Sequence, residues 1–400
     1  MSQEEIAGTT CPVMHFEVSP EPDPDKSFFR RMDDVRRQHP IFRSDEAQGY
    51  WVLTRNELVL EALQRPEIFS SAANVPTLPD PPYRWLPIML DPPDHTKWRQ
   101  LLGAWFSPGR IAKMEDPIRE RAKELVDSVL DAGSCDFVSD FAVRFPTSIF
   151  LEIIGLPVSE LPRFMAWVEK VLHHDSDPQS MMVAMNEIRE MFGGLLVERR
   201  EDPAKRSDDI ISAALEWTID GEPIPDEDLK ACLLLLLLAG LDTVVAQLSY
   251  MFEYLAEHED DRRALVEDES RIPNAVEEML RAHPIVRLGR KVTEDVDFHG
   301  CPMKAGDMVY MPLAFASRDE DVYENATEVD IDRSVFANMS FGAGPHRCLG
   351  SHLARRELVV AVQEWHRRIP DYTVAEGATV REHSGLGVYG IDSLPLTWVS

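Results

Sequence analysis

The chain has 400 residues, 44% of them hydrophobic, and its 41 basic and 70 acidic side chains give a formal net charge of −29. This apolar content is enough for a large buried core and excludes a natively disordered chain. The negative charge argues against nucleic acid and anionic membranes as partners, because both attract surfaces rich in Lys and Arg. The five cysteines are scattered without CxxC spacing, so we expect no zinc site and no disulfide framework, and we favour a reducing compartment.

Apolar residues that recur at spacings of three and four dominate the chain and predict helices. In chain order the sequence predicts a strand at Tyr50–Thr54, helices at Pro117–Asp131, Pro162–Leu172, Met181–Arg199 and Asp226–Ala256, strands at Val292–Phe298 and Met308–Leu313, and a helix at Leu349–Arg368. We therefore predict a mainly α fold with a minor β-sheet. We also predict a single domain over residues 1–400, in which about the first 20 residues form a flexible arm.

Neither the N-terminus nor the most apolar segment of the chain indicates a membrane protein. Residues Met1–Pro20 have no basic start and no apolar run, so we expect no secretion signal. The most apolar segment, Ala231–Leu241, has 11 residues and is closed by Lys230 and Asp242, whereas a membrane span needs about 20. The sequence therefore predicts a buried helix, no membrane partner and a cytoplasmic protein.

The stretch FGAGPHRCLG at residues 341–350 carries the clearest chemical signal. Glycines such as Gly344 and Gly350 let the backbone turn tightly around the sulfur of Cys348 and aim N–H groups at it. The positive end of the following helix favours a thiolate, and Phe341 adds an aromatic neighbour. A lone hydrogen-bonded thiolate suits an axial ligand of haem iron. The alternative is a structural cysteine in a Gly-rich turn.

The pattern F-x-x-G-x-x-x-C-x-G resembles the haem-binding signature of the cytochrome P450 family, the haem-thiolate monooxygenases. Glu278 and Arg281 match the family's Glu-x-x-Arg element, and Arg333 is the expected third member of this structural triad. The resemblance covers nearly the full chain. It implies the cytochrome P450 fold, with a long central helix over the haem, and haem b (iron protoporphyrin IX) bound through Cys348.

The predicted long helix contains Ala239-Gly240-Leu241-Asp242-Thr243, which resembles the family's oxygen-activation motif. Gly240 would leave room for a diatomic ligand beside the backbone. The Thr243 hydroxyl can bond back into the helix and loosen its hydrogen-bond ladder, and Asp242 can relay protons. We predict Asp242 and Thr243 as catalytic residues. The alternative is an ordinary Asp–Thr pair in a core helix.

Haem brings two carboxylates, which need cationic or hydrogen-bonding partners when they are buried. The family's matching positions are His95, Arg99, Arg290 and His346. His95 and Arg99 are four residues apart and share one helical face, so they can converge on one carboxylate. For each of these residues the alternative is a solvated surface side chain.

Within the family, the run from Ala239 and the terminal Leu394-Pro395-Leu396 are similar to the bacterial branch that oxidises camphor and other terpenoids. Tyr83 falls where that branch has a tyrosine that hydrogen-bonds a substrate ketone, and the alternative is a packing tyrosine. The pocket residues implied are apolar: Trp85, Val75, Leu235, Leu238, Ala239, Val286 and Val388. The resemblance implies a monoterpenoid or norisoprenoid substrate, such as camphor or a related ketone or ether. Arg287, Leu288 and Val75 depart from the pattern, which favours a relative of camphor over camphor itself.

The resemblance implies a monomeric O2-dependent monooxygenase that hydroxylates an unactivated C–H bond and receives electrons from a separate [2Fe–2S] ferredoxin with its NAD(P)H-dependent reductase. An acidic carrier needs a local basic patch. Its candidates surround the ligand cysteine: Lys97, Arg99, Arg347, Arg355 and Arg356. The alternatives are a haem-thiolate enzyme that uses peroxide, which the Asp242–Thr243 pair disfavours, a non-catalytic haem sensor or carrier, and a haem-free helical scaffold.

Overall fold

The computed structural model describes residues 11–20, 27–172, 177–334, 338–385 and 387–399. Its helices are α1 (Phe28–Arg36), α2 (Asn56–Gln64), α3 (Asp94–Gly103), α4 (Pro108–Lys113), α5 (Glu115–Val129), α6 (Arg144–Ile154), α7 (Leu161–Leu172), α8 (Pro178–Glu201), α9 (Ile210–Ala214), α10 (Asp226–Glu257), α11 (Glu259–Glu267), α12 (Ile272–Ala282), α13 (Leu313–Ser317) and α14 (Ser351–His366). Its strands are β1 (Val13–Met14), β2 (Ile41–Ser44), β3 (Tyr50–Leu53), β4 (Phe69–Ser70), β5 (Ser134–Asp136), β6 (Thr218–Ile219), β7 (Glu222–Pro223), β8 (Arg287–Val292), β9 (Val296–Phe298), β10 (Cys301–Met303), β11 (Met308–Pro312), β12 (Thr373–Val374), β13 (Glu382–Ser384), β14 (Tyr389–Ile391) and β15 (Pro395–Thr397).

The fold is mainly α with small sheets, which confirms the predicted class. The five helices predicted from apolar periodicity are present as α5, α7, α8, α10 and α14, with ends that differ by at most three residues. The largest difference is at α8, which begins at Pro178. The Asp177 side chain accepts the N–H groups of Gln179 and Ser180 there, and this cap fixes the start.

The largest sheet has six strands in the order β1-β2-β3-β11-β8-β4. The predicted single strand Val292–Phe298 is wrong, because this region forms two strands, β8 and β9. β8 begins five residues earlier and pairs antiparallel with β11, Arg287 opposite Pro312. The charged residues of β8 hide the alternation of polar and apolar residues expected of a strand. Two of them, Arg287 and Arg290, are nevertheless buried.

Helix α10 runs through the core and packs against α6, α8 and β14. Among the described residues it is the helix that is long and apolar enough to cross a membrane, but 78% of its most apolar window is buried inside the protein. The surrounding elements cover this surface, as the sequence predicted for a buried helix.

The predicted flexible arm over residues 1–20 is wrong for residues 11–20, the N-terminal segment. Here β1 pairs parallel with β2, and Val18 is buried. A disulfide joins Cys11 to Cys301 of β10, with Cα atoms 5.8 Å apart, so the expectation of a chain without disulfides is also wrong. The two cysteines are 290 positions apart and meet only through tertiary contact, which no local spacing reveals. Residues 1–10 lie outside the described residues.

The predicted triad of Glu278, Arg281 and Arg333 is assembled. Glu278 and Arg281 in α12 are fully buried, with Oε2 to Nε at 2.7 Å and Oε1 to Nη2 at 2.8 Å. Arg333 Nε donates to Glu278 Oε1 at 3.0 Å. Arg281 also donates to the carbonyls of Ser317, Ala326 and Glu328, so α12 is fixed to the segment that precedes the cysteine loop.

Candidate functional site

Cys348 lies in a compact loop just before helix α14. Its N–H donates to the Phe341 carbonyl at 2.8 Å, which closes the loop around the sulfur. A short 3₁₀ turn, Gly344–His346, lies between these two residues. The Arg355 guanidinium stands over the Phe341 ring, with 4.4 Å between its central carbon and the ring centroid, so the aromatic neighbour is held from the following helix.

The two glycines that were predicted to shape this loop act differently. Gly344 has φ +66°, and a Cβ there would lie 2.1 Å from the Leu63 carbonyl oxygen at the end of α2. No other residue type fits at this position. Gly350 has φ −79° and open space around it, so its contribution is its N–H group, which hydrogen-bonds the Cys348 sulfur at the start of α14.

The Cys348 thiol is exposed, yet the protein around it raises its pKa. Burial by the surrounding protein is the largest cause. The Gly350 N–H and the guanidinium groups of Arg99, Arg347 and Arg355 act in the opposite direction, because they favour the thiolate. Cys348 is thus an exposed residue whose sulfur nevertheless has protein atoms packed closely around it.

His95, Arg99, Arg290 and His346 form one cationic cluster. The rings of His95 and His346 stack with centroids 3.9 Å apart. Burial, together with repulsion from Arg99 and Arg290, lowers the pKa of His95 to about 4 and that of His346 to about 2. Burial also lowers the pKa of Arg290 to about 10. Four donors from α3, β8 and the cysteine loop thus converge, as predicted for carboxylate binding.

Two residues of this cluster were missed from the sequence. The Ser71 hydroxyl lies 3.0 Å from His346 Nε2, and Asp91 accepts the Ser71 N–H at 2.8 Å. Asp91 is also the carboxylate that opposes the lowered pKa of Arg290. Its position four residues before His95, ahead of α3, is the one sequence signal that could have indicated it. One carboxylate beside two guanidinium groups leaves surplus positive charge, which suits an anionic ligand.

An uncovered stripe interrupts the burial of α10 near its middle. Leu235, Ala239 and Thr243, each four residues apart, are partly or fully exposed, whereas Leu238 and Asp242 are buried. The Thr243 hydroxyl donates to the Ala239 carbonyl at 3.0 Å, so the predicted bond back into the helix is present. The helix continues without a break from Asp226 to Glu257.

Gly240 has a packing role that the sequence did not indicate. A Cβ at Gly240 would lie 2.4 Å from ring carbons of Phe150 in α6. The glycine therefore lets two core helices approach.

Tyr83 and Trp85 stack in the loop before α3, with ring centroids 4.5 Å apart. Neither the Tyr83 hydroxyl nor the Trp85 Nε1–H has a hydrogen-bond partner within the described ranges, although both atoms are buried. Burial raises the pKa of Tyr83 to about 12. Two unpaired donors in an apolar loop are costly unless a ligand supplies an acceptor.

Two of the predicted pocket residues face each other, because Val286 and Val388 form an isolated antiparallel bridge. Val75 is buried and bridges Leu78 nearby in the chain. Leu288 lies in β8 opposite Met311 and packs against the apolar cluster of the sheet. The Arg287 guanidinium donates to the Val18 carbonyl of the N-terminal segment and, at 3.4 Å, to the Val388 carbonyl.

The predicted basic patch is largely neutralised. Lys97 pairs with Asp94 and Asp220, Arg355 with Glu277, and Arg356 with Glu115. Arg99 donates to the Arg347 carbonyl at 2.8 Å. Arg347 is exposed, and in the described part of the chain no carboxylate lies within 4.0 Å of its guanidinium nitrogens. Asp94 is local to Lys97, but the other acids that neutralise the patch come from distant segments, which the local sequence does not show.

These residues fit an iron porphyrin. Cys348 offers an exposed sulfur that accepts a hydrogen bond from the Gly350 N–H, and the cationic cluster offers donors for two carboxylates, with His95 and Arg290 buried. Comparisons with known proteins agree. The cytochrome P450 family model matches residues 15–365. The chain is 33% identical to a probable cytochrome P450 127A1 of Sinorhizobium fredii, over 90% of this chain and 87% of that protein. It is 32% identical to a steroid C26-monooxygenase of Mycolicibacterium smegmatis, over 91% of each.

Solved structures agree as well. The crystal structure of CYP101J2 superposes with a TM-score of 0.88 at 30% identity, covering 97% of both chains. That of CYP101C1 superposes with a TM-score of 0.87 at 28% identity, covering 97% of this chain and 98% of that one. Proteins of this kind bind protoporphyrin IX haem through a cysteine thiolate, and Cys348 and its loop fit that cofactor. The cysteine loop, the cationic cluster and the similarity to these relatives lead to one conclusion: the chain belongs to the cytochrome P450 family.

Proposed function

We propose that this cytochrome P450 hydroxylates an unactivated C–H bond of a monoterpenoid or norisoprenoid, such as camphor or a related ketone or ether, with O2 as oxidant. The Tyr83–Trp85 pair is the observation that favours an apolar substrate with an oxygen acceptor. A buried phenol without a partner costs about 1–3 kcal/mol, which a substrate with one oxygen on an apolar body would recover. Apolar walls, with Val75, Leu235, Leu238, Ala239, Val286 and Val388 as proposed members, would bury the rest of such a molecule.

Bound haem supplies the activation of O2, and Cys348 would be its axial ligand. His95, Arg99, Arg290 and His346 would hold the haem carboxylates. Asp242 would deliver protons and Thr243 would orient them, with its hydroxyl released from the Ala239 carbonyl. Thr243→Ala should therefore keep electron consumption but divert it to hydrogen peroxide. Tight coupling of electrons to product in that variant would contradict this role.

We further propose a single-domain, monomeric, cytoplasmic enzyme that receives electrons from a [2Fe–2S] ferredoxin and its NAD(P)H-dependent reductase. Exposed Arg347 would contribute positive charge to the docking face. Turnover that requires NADH, reductase and ferredoxin supports this donor, whereas equal turnover with hydrogen peroxide alone favours the peroxide-using alternative. Because disulfides are uncommon in reducing compartments, peptide mapping of unreduced native protein for the Cys11–Cys301 pair also tests the location.

A second substrate class has an observation in its favour. A relative at 32% identity is a steroid C26-monooxygenase, and a structure of a Bacillus megaterium relative at 28% identity holds testosterone. Steroids are also apolar molecules with one or two oxygens, so the Tyr83–Trp85 pair does not distinguish the classes. The size of the substrate does distinguish the classes, because a pocket that fits a monoterpenoid closely excludes the four-ring skeleton of a steroid.

The decisive experiment is titration of the ferric enzyme with camphor, β-ionone and testosterone, read as the change in the haem spectrum when water is displaced. The proposal predicts saturable shifts with the first two. A shift with testosterone alone would establish the steroid alternative. Tyr83→Phe should weaken camphor binding about 2- to 10-fold, the worth of one hydrogen bond, and leave camphane, which lacks the ketone, unaffected. Equal effects on both ligands would make Tyr83 a packing residue.

A further inference from the structure

Arg287 is a buried guanidinium held by backbone oxygens. It is 4% exposed at the start of β8. No carboxylate of the described residues lies within 4.0 Å of its nitrogens. Nη1 donates to the Val18 carbonyl, and Nη2 donates to the Gly385 carbonyl and, at 3.4 Å, to that of Val388. The charge is therefore solvated by peptide dipoles from two segments that are far apart in sequence.

Two tyrosines complete this environment. The central guanidinium carbon of Arg287 lies 4.5 Å from the ring centroid of Tyr389, which stabilises the cation through the π face. The Tyr310 hydroxyl donates to the Val18 carbonyl at 3.2 Å, so this oxygen accepts from both side chains. Such a site is costly to disturb, because truncating Arg287 removes the donor of the Gly385 carbonyl and one of the two donors of the Val18 and Val388 carbonyls.

The contacts of Arg287 join the N-terminal segment to the turn that carries Val388. The Arg287 N–H donates to the Gly387 carbonyl at 3.0 Å, and the Gly385 N–H donates to the Val388 carbonyl at 3.0 Å. The disulfide at Cys11 fastens the other end of the N-terminal segment to β10. The turn is thus anchored through Arg287 to a segment that is itself covalently anchored.

Val388 in turn faces Val286, the residue just before Arg287, across an isolated antiparallel bridge. Its register is supported on both sides, because the Tyr389 N–H donates to the Ile285 carbonyl and the Leu313 N–H donates to the Val286 carbonyl, each at 3.0 Å. A shift of the turn would therefore move Val388 relative to Val286. Cores are close-packed, so small shifts of such a pair change what fits beside it.

We propose that Arg287 is a positioning residue, which fixes the Val286–Val388 wall of the substrate pocket by clamping its turn to the N-terminal segment. The inference rests on the proposed function in one respect, that these two valines line the pocket. Arg287 touches neither substrate nor haem and acts through the position of Val388.

The chain offers a matched control in Arg262. It is also buried, at 2% exposure, donates to the Leu255 carbonyl at 2.8 Å and stands 5.1 Å from the Tyr372 ring centroid. It differs in pairing with Asp371 and in having no contact with the wall. Loss of a buried arginine destabilises the fold at either position, whereas only Arg287 should change the shape of the pocket.

The test measures the pocket with two azoles that both bind haem iron through an imidazole nitrogen. Imidazole fills little of the pocket, and 4-phenylimidazole places a ring against its walls. The ratio of their dissociation constants is compared in the wild-type holoenzyme, Arg287→Gln, Arg287→Lys and Arg262→Gln. We expect Arg287→Gln to reduce the preference for 4-phenylimidazole roughly tenfold, which is about 1.4 kcal/mol. Arg287→Lys should fall between it and the wild type, because an ammonium reaches fewer of the carbonyls.

Arg262→Gln should keep the wild-type ratio within about twofold while losing thermal stability. An unchanged ratio in Arg287→Gln, or an equal fall in Arg262→Gln, would overturn the proposal. If Arg287→Gln yields no folded holoenzyme, an unchanged ratio in Arg287→Lys overturns it equally. Failure of the substrate class is separate, because it appears as absent spectral shifts with camphor and β-ionone in the wild type, where the azole ratio stays measurable.

Discussion

Substitution of Gly240 by alanine tests how α10 is packed. An added Cβ would lie 2.4 Å from two ring carbons of Phe150 and 2.5 Å from a third, about 1 Å closer than ordinary van der Waals contact. Neither helix can move away freely in a close-packed core, so overpacking should cost about 1–3 kcal/mol. Replacing glycine by alanine inside a helix also stabilises the helix by about 1 kcal/mol. A control variant is needed to measure this gain separately from the packing cost.

Gly194→Ala supplies that control, because Gly194 lies in α8 with open space around it and gains the propensity alone. Chemical denaturation should find Gly240→Ala less stable than Gly194→Ala by about 1–3 kcal/mol. Phe150→Leu should relieve most of this difference in a double-mutant cycle. Equal stabilities for the two alanine variants, or no coupling to Phe150, would refute the packing explanation.

Three further perturbations follow from buried groups. Arg281→Ala should lower the free energy of unfolding by about 3–5 kcal/mol, because Glu278 is left buried and charged, and a loss under about 1 kcal/mol would contradict the triad's role. Cys301→Ser should cost about 2–4 kcal/mol, and reductant should destabilise the wild type but not this variant; equal sensitivity of both would show that the disulfide contributes nothing. Burial lowers the pKa of His366 to about 3, so the folded state binds fewer protons than the unfolded state and stability is lost as pH falls from about 6.5 towards 3. His366→Phe should flatten that loss, and identical pH profiles would contradict it.

The sequence predicted those parts of the fold that depend on local pattern. Helix α10 was located almost to the residue, because a helix buried on most sides is apolar throughout and ends at charges. Strand β8 was largely missed, since Arg287 and Arg290 are buried through tertiary contacts that no alternation of polarity reveals. The Cys11–Cys301 disulfide was missed for the same reason.

In the candidate site, too, the sequence indicated residues that belong to local motifs and missed residues that act through tertiary contacts. The residues of the cysteine loop and of the cationic cluster were identified through the resemblance, and the structure brings the cluster together. Ser71 and Asp91 were missed, because they act on His346 and Arg290 only across the fold. The packing of Gly240 against Phe150 was missed, because Phe150 is ninety positions away in the sequence.

The central claim is that Cys348 binds haem iron as a thiolate. Its most direct test is the spectrum of the reduced, carbon monoxide-bound protein, compared between wild type and Cys348→Ala. Cys135→Ala serves as the control, because Cys135 is also a free cysteine but lies in β5, outside the cysteine loop. The red-shifted band of a thiolate-bound haem should appear in the wild type and the control and be absent in Cys348→Ala. A red-shifted band that persists without Cys348 would contradict the assignment of the ligand.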